Sequence, residues 1–248
     1  MREVDKTFLG NVVALRRMSL QVNSGDFVSL LGPSGCGKST ALRLIAGLMR
    51  PTLGRIEWEG GTSRDDLGFV FQEPTLMPWA TVEKNVWLPF RMRGRSLWSC
   101  REQIMTALKH VGLENFAQRF PRELSGGMKM RVSIARALVT NPRLILMDEP
   151  FAALDEITRQ KLNDDLLAMK AETGATVIFV THSVFESVFL SNRIVVMAPR
   201  PGRVIKEIDV PAPYPRGIDW RTSPDYAAIA RETSDTLNSG IVTAQEAH

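Results

Sequence analysis

Cysteine is scarce: Cys36 and Cys100 are the only two in 248 residues. Two thiols cannot build a disulfide framework and suit a reducing compartment. Long hydrophobic runs are missing too, since no stretch approaches the roughly 18 apolar residues that a membrane span needs. The opening Met1-Arg-Glu-Val-Asp-Lys6 has no apolar signal-peptide core behind it. There are no internal repeats and no low-complexity tracts. A large excess of one charge is also absent: the formal net charge is +4, a weak basis for nucleic-acid binding. The densest basic patch, Arg91, Arg93, Arg95 and Arg101 around Gly94, reads as a solvated loop, with contact to anionic lipid or a partner as the alternative. What remains is ordinary globular composition, 44% hydrophobic and 23% charged, which excludes wholesale disorder. The expectation is a soluble, cytoplasmic chain holding one large α/β domain or two small ones.

Local patterns give the outline. Met18-Ser-Leu-Gln-Val22 alternates apolar and polar residues and predicts a half-buried strand. Phe27–Leu31 runs apolar into a glycine-rich turn, and from Lys38 the spacing of Leu42, Ile45 and Met49 predicts a helix. Leu67–Phe71, Leu144–Met147 and Thr176–Val180 read as short buried strands of a largely parallel sheet. Between about Gln72 and Arg131 the texture is helical. There Ser99-Cys-Arg-Glu102 has the form of a capping box, Ile104, Leu108 and Val111 follow at helical spacing, and Gly112 is the stop. After Pro199 the chain is proline-rich, then weakly helical from about Pro224.

Two motifs carry chemistry. Gly32-Pro33-Ser34-Gly35-Cys36-Gly37-Lys38-Ser39, followed by Thr40, fits the P-loop pattern between a buried strand and a helix. Its glycines let backbone N–H groups converge on phosphate oxygens, and the helix N-terminus adds its positive end. Lys38 is expected to reach the β- and γ-phosphates, and Ser39 to ligate Mg²⁺. This motif alone leaves kinase, GTPase and transport ATPase open. Leu144-Ile-Leu-Met-Asp148-Glu149 is an apolar strand ending in two carboxylates. At the sheet's carboxyl edge Asp148 can hold Mg²⁺ through water. Glu149, pointing the other way along the strand, can polarise an attacking water. The Cys36 thiol, at a helix N-terminus, is expected to react with a maleimide and to be protected by Mg-ATP.

Leu124-Ser-Gly-Gly-Met128 resembles the signature motif of ATP-binding cassette proteins, and the neighbouring motifs lie in that family's order. The resemblance covers roughly residues 4–200. It implies a P-loop NTPase (RecA-like) α/β core with an antiparallel β subdomain and a helical insert at about 73–131, and a tail from 201 to 248 that forms no separate domain. It assigns Phe8 to adenine stacking, Gln72 to the Q-loop and the metal, Ala153-Leu-Asp155 to the D-loop, and His182 to the γ-phosphate and the attacking water. Ser125, Gly126 and Gly127 open a second predicted helix, Met128 to Val139, so a second anion-binding N-terminus exists. In the family such a signature closes over the ATP on the P-loop of a second copy, head to tail. Phe8 stands where tyrosine is more usual, Met128 replaces a frequent glutamine, and Ala152 departs from the family pattern as well. The catalytic set Lys38, Asp148, Glu149 and His182 is complete.

Within the family, Phe71–Trp79, Pro150–Arg159 and the Arg200-Pro-Gly-Arg203 turn look most like importer subunits of the nitrate, sulfonate and taurine group. That implies ATP and Mg²⁺ as ligands and a site of work on the cytoplasmic face of the membrane. The implied partners are a second copy, transmembrane permease subunits and, indirectly, a periplasmic solute-binding protein, with no nucleic acid. An exporter, a lipid transporter or a soluble ABC ATPase is the alternative. Leu76, Met77 and Trp79, in a stretch that Pro74 and Pro78 keep from running as a regular helix, are either local core or anchors for a helix of the membrane subunit.

Overall fold

The structure, a computed structural model, describes residues 1–58, 66–152 and 154–246. In chain order the first elements are strands β1 (Arg2–Phe8), β2 (Val12–Met18) and β3 (Phe27–Leu31), helix α1 (Lys38–Ile45), and strands β4 (Leu53–Arg55) and β5 (Leu67–Val70). Then come helices α2 (Val82–Met92), α3 (Arg101–His110) and α4 (Gly126–Leu138), strand β6 (Leu144–Asp148) and helix α5 (Glu156–Thr173). The chain closes with β7 (Thr176–Thr181), α6 (Val184–Leu190), β8 (Arg193–Ala198), β9 (Arg203–Asp209), α7 (Ile218–Arg221) and α8 (Pro224–Glu246). None of the described helices is long and apolar enough to cross a membrane. Two compact units form, one from residues 1–64 with 176–248 and the other from 65–175.

In the first unit β3 lies between β7 and β8, parallel to both. All five residues of β3 and all six of β7 are buried, which is why both read as unbroken apolar runs rather than alternating ones. β9 adds antiparallel to β8. A separate antiparallel sheet has the order β2-β1-β4. Helix α8 packs on β8, β9 and α6. In the second unit β5 and β6 pair in parallel, Val70 opposite Met147, and helices α2, α3 and α4 pack on one another.

Three local expectations change. The Met18–Val22 alternation survives as burial, with Leu20 buried and Gln21 exposed, but the ladder ends at Met18. Beyond it Leu20 exchanges backbone bonds with Met1, outside the range of β1. Helix α1 stops at Ile45 instead of running to Met49. Gly47 adopts φ 69°, and the Leu48 N–H reaches back to the Arg43 carbonyl, a glycine C-terminal stop. The Ser99 capping box does not form. Trp98–Cys100 make a 3₁₀ turn, the Ser99 hydroxyl donates to the Ser96 carbonyl, and α3 starts at Arg101. Ile104, Leu108 and Val111 are nevertheless buried on α3 and just beyond it, and Gly112 ends that helix at φ 66°.

Candidate nucleotide site

The phosphate loop leaves the carboxyl end of β3, the edge where α/β sheets bind ligands. Gly37 takes φ 94° as the N-cap of α1, a left-handed conformation that favours glycine. Neither a side-chain cap nor an acidic residue occupies the first turn of α1, so no negative side chain there competes with an anion for the helix N-terminus. Lys38, only 4% exposed, curls back into its own loop and donates to the carbonyls of Gly32 (2.7 Å) and Pro33 (2.9 Å). Ser34 and Gly35 form the exposed tip, while Ser39 and Thr40 are half-buried at the helix start. A buried ammonium beside the uncapped N-terminus of α1 fits a polyphosphate.

Cys36 overturns its expectation. The residue is fully buried, and its Sγ lies on the inner side of the loop, 2.7 Å from where a Cβ on Gly32 would stand. The thiol packs against the fold, out of reach of a bulky reagent in the native state. The helix-dipole argument addressed acidity and said nothing of access.

Two further residues of the expected set lie in this unit. Phe8 ends β1 before a tight turn to β2. The residue is 41% exposed, with the Lys6 Nζ 5.3 Å from the ring centroid, and so keeps area for stacking. His182 follows β7 and is exposed. The chain on either side of it is fixed: the Thr181 hydroxyl donates to Glu186 (2.5 Å) and accepts from the Ser183 N–H (3.0 Å). Ser183 caps α6 by accepting from the Glu186 N–H (3.3 Å).

In the second unit β6 buries Leu144–Met147 and delivers Asp148 at its end, 5% exposed. Because β5 and β6 are parallel and in register, Gln72 and Asp148 emerge at the same edge. Gln72 is exposed. Glu149 corrects the alternation argument: the strand has already ended, and Glu149 sits half-buried at φ 45°. A left-handed backbone at a non-glycine residue costs energy and concentrates at functional positions. Its carboxylate is therefore aimed by a strained turn rather than by the pleat.

Ser125 caps α4, accepting from the Met128 N–H at 3.2 Å. The first turn of α4 carries no acidic residue. Gly127 packs against α5, where a Cβ would lie 3.1 Å from Thr158 Cγ2. Gly126 differs: a Cβ there would meet nothing within 4 Å, and its φ is not left-handed. Among the described residues nothing requires a glycine at that position. Of the D-loop, Ala153 lies outside the described residues. The Asp155 carboxylate caps α5 by accepting from the Thr158 N–H at 3.0 Å, and that bond holds its pKa below the usual carboxylate value.

Sequence reasoning missed Arg136 and Asn85. The Arg136 guanidinium, on α4, donates to the carbonyls of Thr75 (2.8 Å) and Pro74 (2.9 Å), tying down the segment after Gln72. Asn85, fully buried, donates to the carbonyls of Met77, Ala80 and Thr81 and accepts from the Met77 N–H. A polar residue inside the α2 periodicity was the only available signal. The fold it imposes on residues 77–81 leaves Trp79 77% exposed, so Trp79 is not local core; Leu76 and Met77 are half-buried.

A family model described as "ABC transporter" matches residues 15–152. An aliphatic sulfonates import ATP-binding protein, SsuB of Bacillus cereus, is 42% identical over 246 residues, covering 97% of this chain and 96% of the relative. The taurine import ATP-binding protein TauB of a Jannaschia species is 42% identical over 231 residues, covering 90% and 86%. Among solved structures, a dimeric post-hydrolysis state of the ATP-binding cassette MJ0796 with ADP and Pi matches with TM-score 0.75 and 36% identity, covering 85% of this chain and 98% of that one.

Proposed function

Because this chain belongs to the ABC transporter family as an ATP-binding, ATP-hydrolysing member, we propose that it powers uptake of a small solute of the nitrate, sulfonate or taurine kind through separate membrane-spanning subunits. The observation that carries the reading is the presence in one chain of Lys38, Asp148, Glu149 and His182, the residues the family resemblance assigns to hydrolysis, and of a second helix N-terminus capped by Ser125. The direction and the cargo class are supported by the import proteins to which it is similar over nearly its whole length. A solute-binding protein outside the membrane would deliver the cargo.

Each residue has a task in this proposal. The N–H groups at the start of α1 and the Lys38 ammonium hold the β- and γ-phosphates, Lys38 leaving the carbonyls of Gly32 and Pro33 to do so. The Phe8 ring covers the adenine. Ser39, Gln72 and Asp148 offer hydroxyl, amide and carboxylate oxygens, a hard donor set that suits Mg²⁺; when bound, the ion would neutralise phosphate charge. Glu149 draws the proton from a water as its oxygen attacks the γ-phosphorus and the bond to the β–γ bridging oxygen breaks. His182 steadies the γ-phosphate and that water. Ser125 and the N-terminus of α4 bind the γ-phosphate held by a second copy of the chain, so ATP closes the dimer and hydrolysis releases it.

The test is reconstitution. Purified protein should release phosphate from ATP. With the permease subunits and binding protein in liposomes, it should drive ATP-dependent uptake of a labelled sulfonate. Efflux, or no coupling of transport to ATP, would overturn the importer reading.

Trp79 is the proposed anchor for the membrane subunit. It is large, exposed and held on a turn that Asn85 pins, as a surface receiving an apolar helix face requires. Trp79→Ala should leave the basal ATPase and melting temperature of the isolated subunit nearly unchanged while weakening co-purification with the permease. Normal assembly and transport by this variant would place the docking surface elsewhere.

A further inference from the structure

The Arg200-Pro-Gly-Arg203 turn joins β8 to β9, and nothing in the reaction above uses it. Its third residue, Gly202, is buried. A Cβ added there would stand 2.1 Å from the Cys36 carbonyl oxygen, and 2.9 Å from both the Ala14 carbonyl oxygen and Leu15 Cδ2. The backbone of Gly202 is not in the left-handed region, so conformation does not demand a glycine. Space does, and the nearest atom belongs to the backbone of the phosphate loop.

The turn cannot retreat. The Gly202 N–H donates to the Ala14 carbonyl (3.0 Å), and the Arg16 N–H donates to the Gly202 carbonyl (3.0 Å), clamping the turn to β2 from both sides. The loop rests on the same supports. A Cβ on Gly37 would meet Leu15 Cδ2 at 2.6 Å and the Ala14 carbonyl oxygen at 2.8 Å. One on Gly32 would meet the Met197 carbonyl oxygen, in β8, at 2.9 Å. Three loop residues thus bear on one wall made from β2, the end of β8 and the turn.

We propose that this turn is the back wall of the phosphate loop and that Gly202 is a positioning residue for nucleotide binding. The peptide unit linking Cys36 to Gly37 is planar and rigid. A side chain that pushes the Cys36 carbonyl from behind therefore tilts the Gly37 N–H, a donor of the phosphate cradle. The inference rests on the reading that this loop holds ATP.

Gly202→Ala should raise the Kd for ATP, measured by calorimetry, about tenfold or more, the range expected of overpacking strain. The KM should rise in step, with a smaller change in kcat at saturating ATP. The gain in melting temperature that ATP confers on the wild type should shrink accordingly. A variant that melts lower but keeps wild-type Kd and the full ATP-induced shift would make Gly202 merely structural and overturn the proposal. If Gly202→Ala does not fold, hydrogen exchange on the wild-type protein decides. ATP should slow the Gly202 and Arg16 amides together with those of Cys36 and Gly37, and slowing confined to the loop would overturn the proposal. Failure of the wild type to bind ATP at all would instead defeat the nucleotide reading.

Discussion

Glu149→Gln should lower ATP turnover by about 10²–10⁴-fold, the range associated with loss of a general base. The substitution keeps the shape of the side chain and removes the charge that draws a proton from water. Glutamine is no worse suited than glutamate to the left-handed backbone at this position, φ 45°, so the turn should be kept. ATP binding relies on Lys38 and the α1 N-terminus and should persist. The ATP-bound dimer should therefore accumulate, visible as a species of twice the mass by light scattering. Wild-type turnover in the variant would remove Glu149 from the mechanism. Loss of ATP binding would show that its role is structural.

The second large effect is expected at the signature. Gly126→Asp places a carboxylate in the first turn of α4, which carries no acidic residue. Toward the helix this is favourable, by about 0.3–1 kcal/mol through the helix dipole. A Cβ at this position meets nothing within 4 Å, so no clash opposes it. The melting temperature of the isolated subunit should stay level or rise. Toward a phosphate on a second copy the same charge is repulsive and blocks the donors, and activity should fall by about 10²-fold or more, as when a preorganised donor is removed. ATP-driven dimerisation should disappear while ATP binding to each P-loop continues. The opposite signs for stability and activity separate this outcome from simple damage. Unchanged activity would mean that the second helix end meets no phosphate.

The elements legible beforehand were those whose signal is local. β3, β6 and β7 are buried on both faces, so their apolar runs stood out. Ser125 and Gly112 mark helix ends through bonds or φ values that a single residue type favours. The misplacements came where two local signals competed. Gly47 ended α1 before its apolar spacing ran out, and a 3₁₀ turn absorbed Ser99 ahead of α3.

The sequence by itself determined the chemistry of this protein. The P-loop and the paired carboxylates could be read as phosphate, metal and water ligands from residue types at close spacing, whereas the tasks expected of the signature and His182 came from the family resemblance. Only the tertiary structure decided access and support. It buried the Cys36 thiol, exposed Trp79, and aimed Glu149 through a strained turn. It also brought Gly202 against a loop more than 150 residues earlier in the chain. The contact at Gly202 depends on which distant backbone lies within a few ångströms. Spacing along a chain carries no record of that, because close packing joins segments through space.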